Sequence, residues 1–245
     1  MCGRFVTPDE AAIEAFWTIG RRNWRSLFAV LRQARFNVAP QQGNPENYVA
    51  VIRADPDGTL ELTDMQWWLL PYWSKEARIK YSTFNARIEN VVTSASFREP
   101  FKRRRCLVPA QGWFEWQDKP GGKQAWFFHA ANESLLAFAG IWDRWRVDGQ
   151  TIESFAIIVG APDPTVEHVH DRVPCLIPAQ NEAVWLDPRL TDAEEIKRLL
   201  VPACASAIAF HRVGRAVGNV RNQGSELIVR EPLANESSTD CSAAP

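Results

Sequence analysis

Leu135-Leu136-Ala137-Phe138-Ala139-Gly140-Ile141 is followed, after Asp148-Gly149, by Ile152-Glu153-Ser154-Phe155-Ala156-Ile157-Ile158-Val159. Both runs are rich in β-branched and aromatic residues, and the Asp-Gly pair between them is a turn signal. They read as strands. Working outward, residues 48–53, 59–63, 106–109, 125–129 and 174–177 read the same way, punctuated by Asp55-Pro56-Asp57-Gly58 and Lys119-Pro120-Gly121-Gly122. Helices are fewer. Thr7-Pro8-Asp9-Glu10 reads as an N-cap, a Pro at the first helical position and a Glu three after the cap, with Ile13, Phe16 and Trp17 as the buried stripe. Thr191-Asp192-Ala193-Glu194 reads as a second capping box, with Ile196, Leu199 and Leu200 as the apolar face and Pro202 as the stop. A third helix is expected around residues 24–34. The expected fold is α+β, a largely antiparallel, barrel-like β-sheet core with peripheral helices in one domain over residues 1–233. Residues 234–245 are small and polar and are expected to be a disordered tail.

Composition narrows the function classes. The 245 residues include 28 Lys+Arg and 29 Asp+Glu, a net charge of −1, with 46% hydrophobic and 23% charged residues. These values suit a soluble globular protein and exclude a wholly disordered or collagen-like chain. No window approaches the ~18 apolar residues of a membrane span. Arg4, Asp9, Glu10 and Glu14 interrupt the apolar core that an export signal needs, so a cytoplasmic location is expected. Five scattered cysteines without a CxxC argue against a disulfide framework or a zinc ribbon. No metal or cofactor is called for, and with no dimerisation segment evident the expected state is a monomer. Charge is uneven along the chain: residues 1–125 carry 18 basic and 13 acidic side chains, the remainder 10 and 16. The densest basic run, Arg98 to Arg105, reads either as a solvated face or as a polyanion-binding one.

Cys2 carries the sharpest chemistry. Initiator Met is normally removed before a small side chain, which would leave an amine and a thiol on adjacent carbons. Their reference pKa values, about 8 and about 8.5, leave both usable near neutrality. Such a pair condenses with an aldehyde to an imine, and the thiol then closes a thiazolidine ring. Gly3 permits close backbone approach and Arg4 can grip an anion. The sequence also leaves room for an N-terminal nucleophile that attacks amides.

Further segments join Met1-Cys2-Gly3-Arg4-Phe5. They are Phe36-Asn37-Val38-Ala39-Pro40, Trp67-Trp68-Leu69-Leu70-Pro71-Tyr72-Trp73, Phe84-Asn85-Ala86-Arg87-Ile88-Glu89, Gly112-Trp113-Phe114-Glu115-Trp116 and His170-Asp171-Arg172-Val173-Pro174. In this order they closely resemble the SRAP family, named for SOS-response-associated peptidases and understood as abasic-site processing proteins. The resemblance implies a single SRAP domain that binds single-stranded DNA and cross-links through Cys2 to the ring-opened aldehyde of an abasic site. It implies that Asn85 holds the terminal cysteine or the sugar, that Glu115 shuttles protons, and that His170, rather than His168 on the same strand face, is the second acid–base group. Gly3, Arg4, Asn37, Pro40, Arg87, Arg98 and Arg172 are the expected DNA-binding residues, with Trp67 and Trp116 as stacking platforms. A related lyase action and a peptidase that removes a short N-terminal extension are the neighbouring activities. Trp68 stands where the family usually has Gly, Val173 where it has Met, and residues 159–162 depart from its pattern.

Overall fold

The computed structural model describes residues 2–24 and 32–232. Strand β1 (Phe5–Thr7) leads into α1 (Glu10–Phe16), followed by β2 (Arg21–Asn23) and β3 (Arg35–Val38). The hairpin of β4 (Val49–Ala54) and β5 (Leu60–Trp67) precedes the short β6 (Asn85–Arg87) and α2 (Arg98–Arg103). Five long strands come next: β7 (Arg105–Ala110), β8 (Gly112–Lys119), β9 (Gly122–Ala130), β10 (Leu136–Val147) and β11 (Gln150–Gly160). Beyond them lie β12 (Val173–Leu176), α3 (Glu182–Leu186), α4 (Ala193–Arg198), β13 (Val201–Pro202) and β14 (Ile208–Val213).

The opening stretch forms the centre of the architecture. β10 and β11 pair from Val147↔Gln150 to Gly140↔Ile157, and the turn between them puts Asp148 at φ 49° and Gly149 at φ 78°. Two consecutive positive φ values match the right-handed twist of a hairpin, which is why Asp-Gly suits this turn. β10 continues onto β7, β7 onto β4 and β4 onto β5, and β5 runs parallel to β11 at Phe155↔Trp67. β12 pairs with both β10 and β11, completing a closed six-stranded barrel. A second antiparallel sheet has the order β14-β9-β8-β1-β3. The architecture is thus α+β, as the sequence led one to expect.

Alternation along the strands divides the apolar residues between two cores. Val49 and Val51 of β4 join Phe5, Trp113 and Phe128 of the second sheet. Ala50 and Ile52, one step out of phase, join Ile13, Phe101, Trp185 and Ile196 from the helices. The first core therefore ties the barrel to the second sheet, and Cys2 belongs to it.

Several local expectations are corrected. The first helix is capped by Asp9, whose Oδ1 accepts from the Ala12 N–H at 2.7 Å, because Thr7 ends β1 and its hydroxyl accepts from the Arg35 N–H. The last helix is likewise capped by Asp192 and not Thr191. An ionised carboxylate is the stronger acceptor for the exposed N–H groups of a helix start. Ile13 and Trp17 are buried, but Phe16 is 45% exposed; the helix ends there and Trp17 is already extended, so the stripe stops short. The basic run is divided by the junction between α2 and β7. Arg98 and Arg103 face solvent, Arg104 lies 3.2 Å from Asp143, and Arg105 is buried. Arg105 donates to the carbonyls of Phe101, Lys102, Trp185, Asp187 and Leu190, and burial lowers its pKa to about 10. Most of the helix expected around residues 24–34, and the tail expected at 234–245, lie outside the described residues.

Candidate functional site

The register of the second sheet brings the N-terminus to Glu115. Phe5 of β1 is opposite Trp113 of β8, and the Phe114 N–H donates to the Arg4 carbonyl at 2.9 Å. Continuing this antiparallel ladder brings Gly3 level with Glu115, with Cys2 next beyond it. Asn85 begins β6, parallel to β11 and opposite Ile157, and its Nδ2 donates to the Cys2 carbonyl at 2.7 Å. His170 sits in the connection between β11 and β12, not on the strand face expected for residues 168 and 170. Gln117 of β8 donates to the His168 carbonyl at 3.0 Å and ties that connection to the Glu115 strand. His170 Nε2 then stands 3.9 Å from Glu115 Oε2. The four residues expected to be catalytic, distant in sequence, are thus brought together.

Burial sets the protonation states. The Glu115 side chain is 3% exposed, and burial pushes its pKa up to about 8, with Asp171 pushing the same way. Burial lowers the pKa of His170. Near neutrality the pair is therefore a carboxylic acid beside a neutral imidazole, not an ion pair. The Arg172 N–H donates to His170 Nδ1 at 3.1 Å, which assigns the ring proton to Nε2, on the Glu115 side. Asp171 Oδ1, 3.0 Å from the same Nδ1, favours the ring if it takes up a second proton.

The Cys2 side chain corrects another expectation. It is fully buried in the first core, and burial, with the charge of Glu115 in second place, holds its thiol well above the ordinary thiol range. It is neither exposed nor pre-ionised. Beside it opens a cavity of about 360 Å³, lined among others by Gly3, Arg4, Glu115, Trp116 and His170.

The chain matches the family model of SOS response associated peptidase (SRAP) over residues 1–220. It belongs to the SRAP family. It is similar to the abasic site processing protein YoqW of Bacillus subtilis, 33% identical over 93% of this chain and 99% of that one. The abasic site processing protein HMCES of Gallus gallus is 32% identical over 94% of this chain and 77% of its own length. Among solved structures, a protein from Bacteroides thetaiotaomicron superposes with a TM-score of 0.79 at 23% identity, covering 95% of this chain and 100% of that one, a likeness of fold.

The expected DNA-binding residues of this SRAP chain fare differently. Arg4 is half-buried: Nη1 donates to Asn37 Oδ1 at 2.9 Å and to the Val217 carbonyl at 3.1 Å, and the guanidinium lies 5.7 Å from the centre of the Trp116 ring. Asn37 is 2% exposed and its Nδ2 donates to the carbonyls of Val217 and Asn219. It braces Arg4 and the 3-10 turn at Arg215–Gly218 and offers no face to a ligand. Trp67 is wholly buried, its Nε1 donating to the Phe84 carbonyl and its ring meeting Phe5 edge-on at 5.0 Å. It is a core residue because its phase on β5 points it at the second sheet. The exposed aromatics of the same motif are Tyr72 and Trp73, at 55% and 47%. Half-buried Trp116 remains beside the cavity, and half-buried Pro40 lies two residues beyond the end of β3. Arg87 is exposed at the end of β6, and half-buried Arg172 has a buried Nε without a hydrogen-bond partner. Arg98 is exposed on α2, which packs mainly on β10, β7 and α4.

Lys123 and Gly218 also line the cavity and went unread, Lys123 following a Gly-Gly turn and Gly218 ending a short 3-10 turn. Neither position carries a sequence signal. Among the described residues no group of three His, Cys, Asp or Glu side chains is placed to hold a metal, and His168 packs against the rings of Trp126 and Phe210. No helix among them is long and apolar enough to cross a membrane.

Proposed function

We propose that this SRAP protein, after loss of Met1, binds single-stranded DNA at an abasic site and captures the ring-opened sugar covalently through Cys2. The observation that carries the reading is the meeting of Asn85, Glu115 and His170 at the Cys2 end of β1, where burial raises the pKa of Glu115 and lowers that of His170. The names of the relatives YoqW and HMCES point to the same substrate.

Removal of Met1 converts the Cys2 amide nitrogen into an amine. Asn85 already holds the carbonyl of that residue, and its Oδ1 is a buried acceptor with no hydrogen-bond partner, suited to orient the new N–H groups. The closed sugar must first open. The protonated Glu115 carboxyl gives its proton to the ring oxygen while its other oxygen takes that of the C1 hydroxyl, so the aldehyde results and the acid is regenerated. His170, with Nε2–H on that side, donates to the oxygen that gains charge. The amine adds to the aldehyde carbon, and Glu115 protonates the hydroxyl, which leaves as water to give the imine. The Cys2 sulfur then adds to the imine carbon and its proton passes to nitrogen, closing the five-membered ring without loss of a further atom. Positioned proton transfer of this kind contributes about 10²–10⁴ in rate. Arg4, Lys123, Arg87 and Arg172 would meet phosphates, and exposed Trp73 and half-buried Trp116 would stack on bases. The raised pKa of the thiol weighs against a cysteine peptidase acting in trans, which works through a thiolate.

The test is intact mass spectrometry of the protein mixed with an oligonucleotide carrying one abasic site. The expected species is the protein without Met1 plus the oligonucleotide minus one water, absent with Cys2→Ala and absent with undamaged strand. Adduct formation by Cys2→Ala, or none by the wild type, would refute the proposal.

A further inference from the structure

Arg4 lines the Cys2 cavity with its charge uncancelled. Its Nη1 donates only to neutral acceptors, Asn37 Oδ1 and the Val217 carbonyl. Among the described residues no carboxylate pairs with the guanidinium, and its Nε–H and both Nη2 hydrogens have no hydrogen-bond partner. Burial lowers its pKa, and no neighbouring carboxylate raises it. Lys123, which also lines the cavity, has Asp118 at 3.2 Å instead. Nε and Nη2 share one edge of the guanidinium, the edge whose two parallel N–H bonds grip a phosphate or carboxylate. That edge is free, while Nη1 is tied down and the Trp116 ring lies 5.7 Å from the guanidinium carbon.

The acceptor that ties it down is itself fixed from three sides. The Asn37 Nδ2 group faces the carbonyls of Val217, Asn219 and Asn222 at 3.1, 2.9 and 3.3 Å. Gln223 closes the arrangement on β3: its Nε2 donates to the Asn37 carbonyl at 3.3 Å, and its Oε1 accepts from the Phe36 N–H at 3.1 Å. Asn222 Nδ2 donates to the Ala216 carbonyl at 2.8 Å. Residues 216–223 are thus folded around one buried amide, and Gly218 among them is part of the cavity wall. An amide suits the position because it offers Arg4 an acceptor and the carbonyls two N–H groups without adding charge. An Asp there would hold Arg4 but neutralise it, and would leave the three carbonyls without their donor.

We propose that Asn37 is a positioning residue for substrate binding: framed by residues 216–223, it aims the free Nε–Nη2 edge of Arg4 at a phosphate beside the captured sugar. The inference rests on the reading of the cavity as the abasic-site pocket. It adds that a residue with no face toward the ligand, and the segment after β14 that encloses it, set the grip on the strand through Arg4. Neutral acceptors fix the direction of the guanidinium and leave its charge for the phosphate.

The probe is a fluorescein-labelled single-stranded oligonucleotide with one tetrahydrofuran in place of a nucleoside, which lacks the C1 hydroxyl and forms no adduct. The full chain is titrated into it at several salt concentrations and followed by fluorescence anisotropy. Arg4→Ala should weaken binding about tenfold or more, as loss of a charged hydrogen-bonded contact does. It should also flatten the slope of log affinity against log salt by about 0.7, the share of one phosphate on a single strand. Asn37→Ala should show the same two changes, and the double variant Arg4→Ala/Asn37→Ala no further loss, because Asn37 acts through Arg4. Gln223→Ala, at an exposed position, should shift affinity and slope the same way by less, and have no effect once Arg4 is Ala; it replaces Asn37→Ala if circular dichroism shows that variant misfolded. A wild-type salt slope in the Asn37 or Gln223 variant, or losses that add to that of Arg4→Ala, would overturn the proposal and leave Asn37 a purely structural residue. So would unchanged affinity in Arg4→Ala. The Cys2 adduct is read separately by mass, so its absence strikes the proposed function, while the anisotropy series decides the role of Asn37.

Discussion

Replacing Glu115 by Gln tests the electrostatic core of the site. The substitution keeps the shape of the side chain and removes its ability to ionise. In the folded protein burial raises the Glu115 pKa from 4.5 to about 8, so the fold favours the protonated form. The sign follows directly. Below about pH 4.5 both folded and unfolded chains carry the proton and the group contributes no pH dependence. As pH rises from there toward 8 the unfolded chain ionises and the folded one resists, so stability falls; above 8 both are ionised and the loss is complete. At about 1.4 kcal/mol per pH unit the ceiling is roughly 5 kcal/mol, and relaxation around the charge brings the expected loss to about 2–4 kcal/mol. Glu115→Gln escapes this loss. Its amide N–H groups impose a pH-independent cost of about 1–3 kcal/mol if they lack acceptors, so the diagnostic quantity is the slope. Urea unfolding of wild type and variant, followed by Trp fluorescence between pH 4.5 and 8.5, should show the variant gaining on the wild type by about 2–4 kcal/mol across that range. The same variant should form the abasic adduct about 10²–10⁴ times more slowly at pH 7. Parallel stability curves across the range would refute the assignment of Glu115 as a buried acid.

Other outcomes follow from the same geometry. Trp67→Ala should cost about 3–5 kcal/mol in urea unfolding, as a fully buried indole does. Trp73→Ala should cost less, about 1–2 kcal/mol, because the ring is half exposed and its indole N–H donates to the Ala95 carbonyl, yet weaken single-strand binding in a filter or anisotropy assay by about 1–3 kcal/mol. The reverse pattern would restore Trp67 as the stacking platform. A Cβ added at Gly112 would meet the Phe128 carbonyl oxygen at 2.2 Å and the Phe127 ring at 2.5 Å. Gly112→Ala should therefore lower the thermal midpoint and, by shifting β8, slow adduct formation too; an unchanged melting curve would contradict the tight pairing of β8 with β9.

Much of the site was legible because its chemistry is written in residue types. A cysteine at position 2, a Glu among three aromatics and a His beside Asp-Arg announce themselves without coordinates. Strands β4, β5, β7, β9, β10 and β11 were equally visible, since runs of β-branched and aromatic residues leave a pattern. The three-residue strands β1 and β6 left none, yet they deliver Cys2 and Asn85 to one place. β8 was read as a motif and not as a strand, so the ladder that brings Gly3 beside Glu115 went unseen.

The sequence alone determined the α+β class, the strand-rich centre, the family and the candidates for the proposed reacting groups, because local periodicity and side-chain chemistry are properties of neighbouring residues. Only the tertiary structure decided that Cys2 is buried, that Trp67 is core while Trp73 is surface, that Asn37 braces Arg4, and that the basic run is split with Arg105 turned inward. Those facts depend on which distant strands pair and in what register, and burial, which sets both the Glu115 proton and the Cys2 thiol, exists only once they have paired.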